Sequence, residues 1–186
     1  LNVAIGGLAL TLNTTGIRNH AIGYQSLKNN TTGNRNIGIG VNTLITNTTN
    51  SDSVAVGSSA LSSSTADYNI GIGTQALGLT TTGSSNIAIG YQAAYNSNTA
   101  IQSVYVGHQA GYTGTTASST TAVGFQTLYN NTVTINTGVG YQAGYSNSTG
   151  DTNAYFGYLA GYGVTTASQV LFLGAYSGPD TSTTDR

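Results

Sequence analysis

The stretch Asn86-Ile87-Ala88-Ile89-Gly90-Tyr91-Gln92-Ala93-Ala94 recurs, with substitutions, from one end of the chain to the other. Aligning the copies on their central glycine picks out Gly6, Gly23, Gly40, Gly57, Gly73, Gly90, Gly107, Gly124, Gly140, Gly157 and Gly174. Successive glycines stand 17 residues apart, except for two steps of 16, from Gly57 to Gly73 and from Gly124 to Gly140. A fixed short period is the signature of a solenoid, in which each coil contacts mainly its neighbours. Coils are counted 1 to 11 in chain order, and positions are numbered from the glycine, so that Asn86 stands at −4 and Ala94 at +4.

Around the glycine, β-branched residues alternate with small ones. Position −3 holds Val3, Ile37, Val54, Ile70, Ile87 and Val104; position −1 holds Ile5, Ile22, Ile39, Val56, Ile72, Ile89, Val106, Val123 and Val139. This period of two predicts a strand with both positions on one face, and that face is expected to form the core. Position −2 is small at Ala4, Ala21, Gly38, Ala55, Gly71 and Ala88 and aromatic at Tyr105, Tyr155 and Phe172. An uncharged back face of this kind is expected to lie against another surface, which argues for a partner chain.

Asparagine at −4 (Asn2, Asn19, Asn36, Asn69, Asn86, Asn136 and Asn153) is expected to bond backbone at a turn and to pair with its equivalent in the next coil. The central glycine is expected to supply a positive φ, or room for close backbone approach between two short strands. The second of these would be the segment typified by Tyr24-Gln25-Ser26-Leu27. Its leucine at +4 (Leu10, Leu27, Leu44, Leu61, Leu77 and Leu128) gives way to Gly111, Gly144 and Gly161, and tyrosine follows at Tyr95, Tyr112, Tyr129, Tyr145 and Tyr162. A turn rich in Asn, Thr and Gly closes each coil and absorbs the two shorter spacings near Ser64 to Asp67 and Asn131 to Val133. Eleven coils stacked about 4.8 Å apart would form a rod of about 50 Å, too thin to bury much alone, so lateral association is expected to add burial. The solenoid is predicted over residues 1–178, with Pro179 and residues 180–186 as an exit tail or linker; no further domain boundary is visible.

Composition narrows the function. Four basic and five acidic residues give a net charge of −1, which excludes a basic nucleic-acid footprint. No segment is long and apolar enough to insert in a membrane. Cysteine is absent, so neither disulfides nor thiolate metal sites hold the fold. The chain opens inside a repeat without a polar cap, which suggests a piece of a longer protein.

No catalytic constellation can be assembled. His20 and His108 occupy different phases of the repeat, and a metal site would need further ligands beside them. Asp67 and Asp151 lie about five coils apart, near 24 Å at strand spacing, too far for a paired-carboxylate glycosidase. Sequons at Asn13, Asn29, Asn30, Asn47, Asn130 and Asn147 follow from turns built of Asn and Thr. No catalytic residue, metal ligand or cofactor is therefore expected. The candidate binding surface is a stripe of Tyr24, Tyr91, Gln92, Tyr141, Gln142 and Tyr158, which either packs between coils or chains or stacks on sugars of a host glycan.

The Asn-x-Ala-Ile-Gly units resemble the head repeats of trimeric autotransporter adhesins. The longer form, with Tyr-Gln-Ala-Gly-Tyr and a Thr-Thr-Gly turn, is similar to repeats of phage tail fibres and bacterial surface proteins, often found upstream of an endosialidase-type intramolecular chaperone. The adhesin repeat is typically shorter than the 17 residues here. The resemblance covers residues 1–178 and implies an all-β, left-handed parallel β-roll assembled as a homotrimer. It also implies a cell-surface or virion location and a non-enzymatic shaft or head that meets host glycans or protein receptors. Two other readings follow from the residues: a self-polymerising filament or functional amyloid built on Asn and Gln ladders, and an ice-binding surface built on the pairs Thr14-Thr15, Thr31-Thr32 and Thr81-Thr82.

Overall fold

A computed structural model describes residues 1–178. The expected tail beyond Gly178 lies outside the described residues. Within them the chain winds as an all-β solenoid of eleven three-residue strands, from β1 (Val3–Ile5) through β6 (Ile87–Ile89) and β7 (Val104–Val106) to β11 (Leu171–Leu173). All eleven form one parallel sheet in strict sequence order. Pairing is in register, so that Ala88 faces Tyr105 and Ile89 faces Val106 across β6 and β7.

Each coil contributes one strand, not two. The segment after the glycine is a run of turns, because positions +2 and +4 take up left-handed backbone: Gln25 and Leu27 have φ of 56° and 49°, and Arg35, at −5 before the next strand, has 57°. Left-handed residues cannot continue a strand and cost a non-glycine residue about 1–2 kcal/mol each. The turn side nevertheless bonds coil to coil as the sheet does: Gln25 N–H donates to Gly7 O (2.9 Å) and Leu27 N–H to Thr43 O (3.0 Å). The central glycine is required twice over. Gly90 has φ of 136°, and a Cβ there would sit 2.4 Å from the carbonyl oxygen of Gly107 in the next coil.

The strand's inside and outside are reversed from the expectation. The small residue at −2 points inward, with Ala21, Ala55, Ala88 and Ala122 fully buried, whereas Ile39, Ile72 and Ile89 at −1 are 39%, 37% and 39% exposed. The reason is space. The interior is already occupied by the leucine of position +4, which is buried in Leu27, Leu44, Leu61, Leu77 and Leu128. Opposite a leucine there is room for alanine or glycine only.

Where −2 becomes aromatic, the leucine disappears. Tyr105 is fully buried, and a Cβ at Gly111 of the same coil would come within 2.2 Å of its ring; Ala94 holds the equivalent place one coil earlier. Tyr155 is accommodated in the same way by Gly144 and Gly161. Core volume is thus conserved by exchange between positions −2 and +4 of adjoining coils.

The two buried tyrosines differ in their hydroxyls. Tyr105 donates to Ala117 O at 2.9 Å, a carbonyl that Ser103 at −4 also reaches at 3.1 Å. In the coil of Tyr155 the equivalent carbonyl, Ala167 O, is taken by the side-chain amide of Asn153 at 2.7 Å, and the Tyr155 hydroxyl has no partner among the described residues. Tyr105→Phe is expected to lower stability by about 1 kcal/mol through the lost bond, while Tyr155→Phe is expected to raise it by about 1 kcal/mol by removing a buried unpaired group. Urea unfolding of the two variants checks both signs.

Burial pushes both hydroxyls up to about 12 from an ordinary value of 10.0. The folded chain therefore holds these protons more tightly than the unfolded chain does. Their contribution is complete below about pH 10 and falls as the pH rises towards about 12. Unfolding midpoints measured by circular dichroism are expected to drop across that window, and less steeply in the double Phe variant.

Candidate functional site

The side chains with binding potential stand in columns parallel to the solenoid axis, because every phase of the repeat stacks on itself. Two columns are aromatic. At +5, Tyr95, Tyr112, Tyr129, Tyr145 and Tyr162 stack with ring centroids 5.0 to 5.6 Å apart and planes within 7° to 16°. At +1, His108, Phe125, Tyr141 and Tyr158 stack at 5.1 to 5.2 Å, Tyr91 lies 5.1 Å from His108 with its plane tilted by 32°, and Tyr176 closes the column edge-on to Tyr158.

Between them at +2 runs an amide column in which the Nε2 of Gln92, Gln109, Gln126 and Gln142 each donates to the Oε1 of the glutamine one coil below, at 2.8 to 2.9 Å. The Gln92 and Gln142 amides are therefore engaged with their own kind. Of the sequence-predicted stripe, Tyr91, Tyr141 and Tyr158 come together in the +1 column, with Gln92 and Gln142 in the column beside it. Tyr24 is separate: exposed, with one ring edge 3.3 Å from where a Cβ of Gly7 would lie. The rings within the column turn their faces to one another and present their edges outward. Within the column, from His108 to Tyr158, the ring faces are taken up by stacking.

His108, considered in the sequence only as a metal ligand, is a member of the +1 column, 5.1 Å from both Tyr91 and Phe125. Only its phase, aligned with the tyrosines, signals this. His20 is exposed on its strand. Among the described residues no group of three His, Cys, Asp or Glu side chains comes together.

The asparagines at −4 bond turn backbone and their equivalents in the next coil, as expected, and from Asn19 onward they do so as buried rungs. Their Nδ2 groups donate to the carbonyl at +10 of the same coil, as in Asn19 to Gly33 O (2.7 Å) and Asn86 to Ala100 O (2.6 Å). Their Oδ1 atoms accept the backbone N–H at −4 of the next coil, as from Asn36 to Asn19 (2.9 Å). The two 16-residue coils carry Ser53 and Thr120 at −4, and the 17-residue coil of Gly107 carries Ser103, whose hydroxyl donates to Ala117 O at 3.1 Å in place of an amide. A second buried column of asparagine, Asn13 to Asn30 to Asn47, runs at +7. Asn30, Asn47 and Asn147 are buried, so these sequons are closed in the folded chain.

The threonines at +8 are bonded too: Thr14 and Thr31 each donate their hydroxyl to the +8 carbonyl of the next coil at 3.0 Å. That same oxygen receives three backbone donors, Thr14, Thr15 and Gly16 N–H all converging on Thr31 O at 2.9, 3.1 and 3.2 Å. The only ion pair among the described residues is Arg35 with Asp52, one coil apart at −5, with Nε to Oδ1 at 2.5 Å. The Arg35 guanidinium holds the Asp52 carboxyl below its ordinary range.

Burial, then the flanking Tyr112 and Tyr145 hydroxyls, raise the Tyr129 hydroxyl. Tyr129 has two stacking partners where Tyr95, seated against Gly78, has one. At about 0.5–1.5 kcal/mol per aromatic pair, Tyr129→Ala is expected to destabilise more than Tyr95→Ala by one such increment. Thermal unfolding of the two variants measures the difference.

Comparison with family models, curated proteins and solved structures finds no match for this chain.

Proposed function

We propose that the chain is a rigid, non-enzymatic fibre segment that associates side by side with further copies of itself, as a homotrimer, in the shaft or head of a surface adhesin or tail fibre. The observation that carries this is the outward face of the sheet. Position −1 is apolar in every coil, and Ile39, Ile72, Ile89, Val139 and Phe156 are all exposed. The −1 row runs about 50 Å along the rod, and the −3 row beside it is apolar except at His20, Thr121 and Thr137. A continuous exposed apolar row of this kind marks an interaction site.

A second copy is the natural cover for such a face. Row-for-row packing along the whole length requires a partner with the same axial repeat, and another copy of this chain has it without further design. The sequence's argument for a partner rested on the −2 face, which is interior; the exposed −1 face supports the same conclusion from the other side of the strand. An extracellular location fits a charge-poor shaft without cysteine. Contact with host receptors at its surface completes the reading.

Sedimentation velocity over a dilution series is expected to show a constant species near three times 18.9 kDa. Ile72→Lys with Ile89→Lys, both at exposed positions, is expected to release single chains with unchanged β-sheet circular dichroism. A wild-type chain that stays single at all concentrations would overturn the proposal, and open-ended growth with concentration would favour the self-polymerising filament.

A further inference from the structure

The chain has no cysteine, methionine or tryptophan, and it has 13 tyrosines. The sulfur side chains that ordinarily take up oxidation are therefore absent. Phenol is the group of this chain that most readily gives up an electron, and with the electron goes the hydroxyl proton, leaving a phenoxyl radical. The proposed fibre requires none of this chemistry. Five of the phenols nevertheless stand in one line: Tyr95, Tyr112, Tyr129, Tyr145 and Tyr162 occupy position +5 of five successive coils, six residues beyond the outward −1 row.

The geometry of this column suits passage of a radical and opposes its loss on the way. Neighbouring rings lie face to face with centroids 5.0 to 5.6 Å apart and planes within 7° to 16°. An electron can pass from one ring to the radical beside it, while the donor ring releases its hydroxyl proton to water and the acceptor ring regains one; each step moves the radical by one coil. Coupling inside the column is blocked, because a carbon–carbon bond between two phenols needs their ring edges in contact, and rings held parallel at this spacing do not reach it. The two ends differ. Tyr95 is part-buried and seated against Gly78, whereas Tyr162 is 42% exposed, the one exposed member of the column, and the sequence places Pro179 at +5 of the following coil, so no ring succeeds it. At the middle of the column burial, then the neighbouring hydroxyls, raise the Tyr129 hydroxyl, which keeps its proton and so does not retain the radical.

We propose that the +5 column relays one-electron oxidation along five coils to Tyr162, and that Tyr162 is the site at which the chain forms a carbon–carbon cross-link to a tyrosine of a second copy. The co-reactant is an outer-sphere one-electron oxidant. Two phenols each give one electron to one molecule of oxidant and one proton to water; the ortho carbons of the two radicals join, and the hydrogen on each of those carbons moves to the oxygen of its own ring to restore the phenols. The relay needs only the column of one chain. It stands or falls separately from the fibre, since the fibre is read as mass before oxidation and the relay as the position of the cross-link.

The test oxidises the full chain with photogenerated ruthenium(III) tris-bipyridyl and locates dityrosine by mass spectrometry of the peptides. Tyr162 is expected to carry the largest share, ahead of Tyr68 and Tyr24, which are 61% and 51% exposed but stand in no ring column. Tyr129→Phe keeps a ring in the stack without a phenolic O–H and leaves Tyr145 alone to feed Tyr162, whose share is expected to fall roughly twofold or more. Tyr68→Phe is expected to leave the Tyr162 share unchanged. Circular dichroism before oxidation confirms that each variant retains its sheet. Absence of dityrosine, cross-links that follow exposure with Tyr68 and Tyr24 ahead of Tyr162, or a Tyr162 share that survives Tyr129→Phe would overturn the proposal.

Discussion

Hydrogen bonding between coils along a single direction governs everything else in this molecule. A coil of 16 or 17 residues with three in a strand has almost no internal secondary structure, so its peptide groups must find partners in the coil above or below. The spacing that results brings each residue against the same phase of its neighbours, and the sequence must be compatible with itself at every phase. Asparagine, glutamine and tyrosine meet this condition because amides pair head to tail and rings stack. Charges do not, since like charges about 5 Å apart repel. Nine charged residues in 186 reflect that rule, and among the described residues the one place where charged side chains pair between successive coils joins opposite signs, Arg35 and Asp52.

The same bonding sustains a backbone that few folds would tolerate. Three phases of the coil hold left-handed residues, among them buried leucines and even Ile135, with φ of 60°. Such conformations persist only where the surroundings over-determine them. Here the turn N–H groups are locked onto the adjacent coil, up to three converging on one carbonyl at Thr31. The strain is shared by repetition, each turn being held by a copy of itself.

The period, the stacked β coils and the tyrosine column were legible in the spacing of Gly6 to Gly174 and in Tyr95 to Tyr162, whereas the expected second strand of each coil does not form. Which strand face points inward was not legible, because alternation separates two faces without ranking them, and bulk at Ile89 beside Ala88 suggested the wrong order. The deciding signal was present but long-range: aromatic Tyr105 and Tyr155 coincide with loss of leucine at Gly111 and Gly161, six residues on. A large residue gained at one phase and lost at another means that the two phases share one interior. The left-handed turns were invisible for a different reason. Gln25 and Leu27 have no propensity for that backbone, and only the axial bonds impose it. The ring faces of the candidate stripe followed likewise from stacking geometry that composition does not express.

Bonds that all run along one axis also set how the rod responds to force. A strand in an ordinary sheet is anchored by neighbours on long stretches, but here a pull on the chain ends loads only the terminal coil, whose contacts stop at one neighbour. Coils would detach one at a time. Each would convert about 4.8 Å of rod into about 58 Å of extended chain, taking 17 residues at about 3.4 Å each. The solenoid is in this sense a reel, short and stiff at rest and able to yield roughly twelve times its length before the covalent chain is taut.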